Sequence, residues 1–246
     1  KEWSEKIGLF FFIKADEPKR REIACEGIDS LVEYLKPIIA ERKLTPGDDL
    51  ISILIGAQEA GKLDEEDVLA TCVLLVFGGH ETTMNLIANG TLALINHPNE
   101  WSRLQNDPNL IEIAVEELLR FDGSVKATVR WAKEDVQVGD KKLKKGDRVL
   151  VCLSAANRDP QHFNKPHDLN ISRDPNPHAA FAHGIHVCLG APLARIEAQE
   201  AILGLIQRLK IPTLHNKELK YHPSLVHRAL IELPMSVDSI QEHIAV

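Results

Sequence analysis

Cys188 lies in the stretch FAHGIHVCLG, residues 181–190, and is the only cysteine of four set among glycines and histidines. Three readings compete for it: a buried structural thiol, a zinc ligand with His183 and His186, or a single thiolate that holds iron. Ile185, Val187 and Leu189 make its surroundings apolar. Gly184 and Gly190 let backbone come close to something flat or bulky. A helix is expected to begin just after it, and a helix start favours a thiolate. Zinc takes four ligands, and H-x-x-H-x-C is not one of its usual spacings. A second island is GGHETT, residues 78–83. Two adjacent glycines inside a helix cost about 1 kcal/mol each relative to alanine, so they need a local reason. Thr82 brings a hydroxyl and Glu81 a carboxyl, a pair able to move protons. The plainer reading is a threonine bonded back to its own helix beside a surface glutamate. Glu117 and Arg120 are three apart, on one helix face, where an ion pair forms. Arg130, in TVRWA, offers a fork suited to a carboxylate, or is simply a surface strand arginine.

The elements that must position these residues are mostly helical. Residues 1 to about 125 read as helix after helix, and the chain starts as if mid-helix at Lys1. Apolar residues at helical spacing (Ile23, Ile28, Leu31, Leu35, Ile38) mark one helix, which Pro46-Gly47 ends. Asp48 and Asp49 cap the next, which runs to Gly61. The longest helix starts at an Asp64 cap and runs to Asn96, before Pro98. It is apolar nearly all round, the mark of a helix buried on every side. Another helix spans about Asn109 to Phe121. The period then changes: ATVRWA, VQVG and KKLKKGDRVLVCLSA read as short strands and hairpins with Gly-Asp turns. Asn157 to His186 is a long irregular meander, a kind of segment that is usually functional. A last helix runs from Ala191-Pro192 to about Leu209, and the tail adds short strands such as ALIELPMSV.

Phe181-x-x-Gly184-x-x-x-Cys188-x-Gly190 resembles the haem-ligand loop of the cytochrome P-450 family, the haem-thiolate monooxygenases. Further segments agree with the soluble bacterial type. GGHETT is similar to the family's oxygen-binding segment, Glu117-x-x-Arg120 to its E-x-x-R, and Arg173 to the arginine closing on that pair. NRDPQHF, residues 157–163, is also characteristic. The one departure in the cysteine loop is Ala182, where many members carry glycine, and Asn170 stands where relatives often have Asp. The resemblance implies a mainly α fold with small β-sheets. It covers the later part of that fold, from about the F helix to the C-terminus, and lacks helices A to E. The whole chain, 1–246, is expected to be a single haem-binding domain.

The same resemblance implies haem b as cofactor and dioxygen as co-substrate. Cys188 would be the iron ligand. His186 and Arg130 would hold propionates. Phe181, Gly184, Gly190, Gly78 and Gly79 would shape the haem surroundings, the last two by loosening the helical ladder beside it. Thr82 and Glu81 would deliver protons. Hydroxylation or epoxidation of a small hydrophobic substrate is implied, with electrons from a ferredoxin or flavodoxin. Residues around Leu74 and Phe77 and the stretch Val125–Val129 would lie near the substrate. Two rivals remain. One uses peroxide or isomerises on the same haem, against which the Glu81-Thr82 pair argues. The other is a truncated or haemless homologue acting as a non-catalytic partner or scaffold: Cys188 and the intact oxygen segment argue against the haemless form, while the missing helices keep the truncated form open.

Composition excludes other classes. The net charge of −7 gives no electrostatic case for nucleic acid. Cys25, Cys72, Cys152 and Cys188 form no C-x-x-C pair, so no zinc ribbon is expected, and a reducing cytoplasm fits best. IGLFFFI, residues 7–13, is too short to span a membrane. With helices A to E absent, the long helix would lack partners on one side, and the chain is expected to associate through exposed apolar surface.

Overall fold

The longest element is a 32-residue helix, α4, Glu65–Asn96, in a computed structural model that describes residues 2–11, 18–215 and 218–239. Its start is built by two aspartates. Asp64 Oδ1 accepts from the Asp67 N–H at 2.7 Å, and Asp67 Oδ2 accepts from the Asp64 N–H at 3.1 Å. That reciprocal arrangement satisfies two of the donors a helix start leaves over. Three further helices precede it: α1, Glu2–Phe11; α2, Arg20–Leu44; and α3, Leu50–Glu59. Asp49 caps α3 by accepting from the Ser52 N–H at 2.8 Å. Phe12 and Ile13 of the apolar stretch 7–13 lie outside the described residues. No described helix is long and apolar enough to cross a membrane.

After α4 come α5, Pro98–Asn106; α6, Ile111–Asp122; α7, Leu153–Ala156; and α8, Ala191–Arg208. Between them lie β1, Ala127–Trp131; β2, Val136–Val138; β3, Lys141–Leu143; and β4, Arg148–Cys152. The tail carries β5, Thr213–Leu214, and β6, Met235–Ser236. Among the described residues the sheets are three antiparallel pairs: β1 with β4, β2 with β3, and β5 with β6. Gly139 and Gly146 take φ of +59° and +90°, so the two Gly-Asp pairs do make turns.

The chain divides into two compact units, Lys1–Glu81 and Thr82–Val246, with the boundary inside α4. The first unit has a core of Ile7, Leu31, Leu35, Ile39, Ile55, Val68 and Cys72. The core of the second gathers the last turns of α4 with α5, α6 and α8. Leu94, Trp101, Leu104, Ala114, Val115 and Ala198 are fully buried there. Gly90 allows α6 and α8 to come close: a methyl group on it would lie 3.2 Å from Leu118 Cδ1 and 3.3 Å from Ile202 Cδ1.

Two sequence expectations change. The helices α5 and α7 are additional to those read from the sequence: Trp101 and Leu104 are the only buried residues of α5, too few to show a period, and α7 is a single turn on the end of the stretch read as strand. And α4 is not buried all round. Its last turns, Asn85 to Ile95, are buried or half-buried, but Met84 stands 45% exposed, and Leu74 and Val76 in the N-terminal half 64% and 44%. An all-round apolar pattern shows what a helix can bury, while burial also needs neighbours on every side.

Candidate haem-thiolate site

The loop before α8 is folded back on itself. The Cys188 N–H donates to the Phe181 carbonyl at 3.0 Å, and the Val187 N–H to the Gly184 carbonyl at 3.0 Å. Residues 184–186 form one 3-10 turn, so His186 leaves the chain just before the thiol. Gly184 has φ of +81°, which only glycine adopts without cost. Ala182 has φ of +56°, a left-handed conformation that strains a residue with a β-carbon. That explains physically why glycine would suit position 182. A β-carbon on Gly190 would lie 3.9 Å from Cys188 Sγ, in ordinary contact with the thiol.

The loop's apolar side chains face outward. Ile185 is 94% exposed and Leu189 84%, with Val187 more than half exposed and Cys188 exposed among them. Apolar side chains clustered around an open thiol form a shelf suited to a large flat apolar group. Arg130 sits on β1, half-buried, and its Nη1 donates only to the Val129 carbonyl at 2.9 Å. Among the described residues it pairs with no carboxylate, so its charge is available for an acidic ligand.

Gly78, Gly79 and Glu81 belong to the first unit, and Thr82 opens the second. All four lie on α4, which is helical throughout this stretch. The glycines therefore leave open side positions without breaking the ladder: among the described residues, no atom beyond the helix's own backbone lies within 4 Å of where a methyl group would stand on either. Burial, with a smaller contribution from Glu5, raises the Glu81 carboxyl above its ordinary range.

Behind the loop, Glu117 and Arg120 on α6 are both 0% exposed. Arg120 donates through Nε and Nη2 to the Glu117 carboxylate at 2.7 and 2.8 Å. Arg173 adds Nε at 3.0 Å, and the Asn170 N–H and Asn176 Nδ2 also donate to Glu117. The spare donors of Arg120 bind the carbonyls of Asn157, Pro166 and Asp168. This one buried knot ties α6 to the irregular segment that leads into the cysteine loop.

A cluster that sequence reasoning missed lies beside it. Glu116 accepts from Arg195 Nε at 2.6 Å and Nη2 at 2.9 Å, and lies 2.9 Å from His178 Nε2. Burial pushes the Glu116 carboxyl up, but hydrogen bonds from His178 and Arg195 outweigh it and hold the group at about 2. The Glu116 hydrogen bond raises the Arg195 guanidinium against burial, and the Cys188 sulfur adds to the rise. No sequence signal marked these three, because the partners are 62 and 79 residues from Glu116.

Comparison with known proteins decides the family. The model of the family described as Cytochrome P450 matches residues 5–235. The chain belongs to the cytochrome P450 family. It is 42% identical over 241 residues to the biotin biosynthesis cytochrome P450 of Bacillus subtilis (strain 168), covering 97% of this chain and 60% of that protein. It is 40% identical over 221 residues to the polyketide biosynthesis cytochrome P450 PksS of the same organism, over 88% of this chain and 55% of PksS. Among solved structures it resembles P450BioI in complex with hexadec-9Z-enoic acid ligated acyl carrier protein. There the TM-score is 0.89 at 40% identity, covering 96% of this chain and 61% of that one. This P450 chain thus spans about 60% of the length of those relatives, and its mainly helical architecture with small sheets is the later part of their fold. Membership implies haem, and the residues fit it: an exposed thiol, an apolar shelf, and a glycine-opened loop closed by its own backbone bond.

Proposed function

We propose that residues 1–246 act as one haem-binding domain, the oxygen-activating part of a soluble cytoplasmic haem-thiolate monooxygenase. The observation that carries this is the Cys188 loop: the one thiol of the chain displayed on an exposed apolar shelf between two glycines. Haem b, when bound, supplies the iron on which dioxygen is activated, and a thiolate ligand donates electron density that favours O–O cleavage. Cys188 would hold that iron. Ile185, Val187 and Leu189 would cover the apolar part of the group. Arg130 and His186 would hold its carboxylates by charge-assisted hydrogen bonds. Phe181, Gly184 and Gly190 would fix the loop around it. On α4, Gly78 and Gly79 leave space. Glu81, whose proton affinity is raised by burial, would pass protons to the Thr82 hydroxyl, which would hold one for the reaction.

The reaction is hydroxylation or epoxidation of a small hydrophobic molecule, with electrons from a ferredoxin or flavodoxin. The likeness to a protein crystallised with a carrier-tethered fatty acid supports testing acyl chains, free and carrier-bound, as substrates. The test is a haem titration of the chain against its Cys188→Ser variant, followed by absorption. The wild type is expected to take up haem with a thiolate-type spectrum and the variant to lose that spectrum. Retention of the thiolate-type spectrum by Cys188→Ser would place the ligand elsewhere and end this reading.

A further inference from the structure

We propose that Arg195 is the positioning residue of the Cys188 loop: clamped by Glu116, it holds the Phe181 ring. The proposal rests on the reading of Cys188 as the iron ligand. The chain of contacts is continuous and lies within the second unit. Glu116 on α6 takes both forks of Arg195 on α8, at 2.6 and 2.9 Å. That pairing fixes the plane of the guanidinium, which a lysine cannot reproduce. The guanidinium carbon lies 4.6 Å from the centre of the Phe181 ring, within range of a cation–π contact. The Phe181 carbonyl in turn accepts the Cys188 N–H at 3.0 Å. A shift of the Phe181 backbone therefore disturbs the bond that holds the Cys188 amide.

His178 braces the same assembly. Its Nδ1 accepts the Ala180 N–H at 3.2 Å, so Nε2 carries the proton that goes to Glu116. Its ring also lies 6.2 Å from that of Phe181. Glu116 stays ionised down to about pH 2, so the clamp persists across working conditions. Glu116 and Glu117 are sequence neighbours with separate tasks. Glu117 knots the irregular segment, while Glu116 acts on the loop through Arg195 and His178.

The test compares wild type with Arg195→Leu, Arg195→Lys and His178→Gln by amide hydrogen exchange, resolved to residues 181–190, on the chain as isolated. Arg195→Leu is expected to speed exchange at the Cys188 amide by about five- to tenfold, the loss of roughly one net hydrogen bond. The Asn170 amide, held by Glu117, keeps its rate. Arg195→Lys gives a smaller rise, and so does His178→Gln. A loop that exchanges at wild-type rate in Arg195→Leu overturns the proposal, as does an equal rise throughout α6 and α8. Should Arg195→Leu fail to fold, unchanged loop exchange in both other variants overturns it. The exchange is read without haem, so it stands even if Cys188 takes no iron, which separates failure of this proposal from failure of the reading it rests on.

Discussion

Glu117→Gln keeps the side chain's size and removes one charge. In the native protein this carboxylate receives donors from Arg120, Arg173, Asn170 and Asn176, and no part of it reaches solvent. Glutamine turns one acceptor oxygen into an NH2 group aimed at those donors, and leaves Arg120 buried without its counter-ion. Removing one partner of a buried pair costs about 3–5 kcal/mol. That is a large share of the roughly 5–15 kcal/mol that holds a domain folded. For a unit of this size each kcal/mol moves the midpoint by about 2–4 °C, so the variant should melt on the order of 10 °C lower. Thermal unfolding followed by circular dichroism at pH 7 reads this directly. Asp140→Asn is the control. Its ion pair with Lys141 is exposed, at 84% and 78% of the two side chains, and such pairs contribute about 1 kcal/mol at most. If Glu117→Gln melts within a degree of wild type, or no lower than Asp140→Asn, the buried-network reasoning is wrong.

Burial lowers His227 to about 4 from an ordinary 6.5, so the folded protein keeps it neutral where the unfolded chain takes a proton. Its stabilisation is full above pH 6.5 and is lost as pH falls toward 4. Urea midpoints at pH 7.5 and 5 should show about 2 kcal/mol more loss in wild type than in His227→Gln. Equal losses would refute this, and Glu116 does not confuse the result because its window lies lower, between about 4.5 and 2. Gly27→Ala would set a methyl group 2.9 Å from Lys6 Cβ and from the Trp3 carbonyl. Overpacking of about 1–3 kcal/mol should exceed the gain of about 1 kcal/mol in helix propensity. Proteolysis within α1 should accelerate, and an unchanged rate counts against the close packing of α1 on α2. In the complete enzyme, Thr82→Ala should lower product formed per electron pair and release peroxide; unchanged coupling with a good substrate would remove Thr82 from proton delivery.

Much of the fold was legible where local chemistry decides it. Asp64 gave the start of α4 because an N-cap acts within three residues, and Asn96 its end because Pro98 follows. The Glu117–Arg120 pair was legible because a helix puts i and i+3 together, and Arg173 followed only from family resemblance. The Glu116–His178–Arg195 cluster was not legible, because each partner arrives from a different element through the tertiary fold. The helix α5 was hidden by its polar face, since two apolar residues make no periodic stripe. The exposure of Leu74 and Val76 was hidden for another reason: a sequence states which side chains are apolar and leaves open what covers them.

The central claim is that Cys188 holds haem iron as a thiolate. Its most direct test is the carbon monoxide difference spectrum of the dithionite-reduced protein after haem loading, with Cys188→Ser beside it. A red-shifted, thiolate-type Soret band in wild type that is absent from Cys188→Ser is the result this account predicts. A wild-type band at the neutral-ligand position, unchanged by Cys188→Ser, would contradict it.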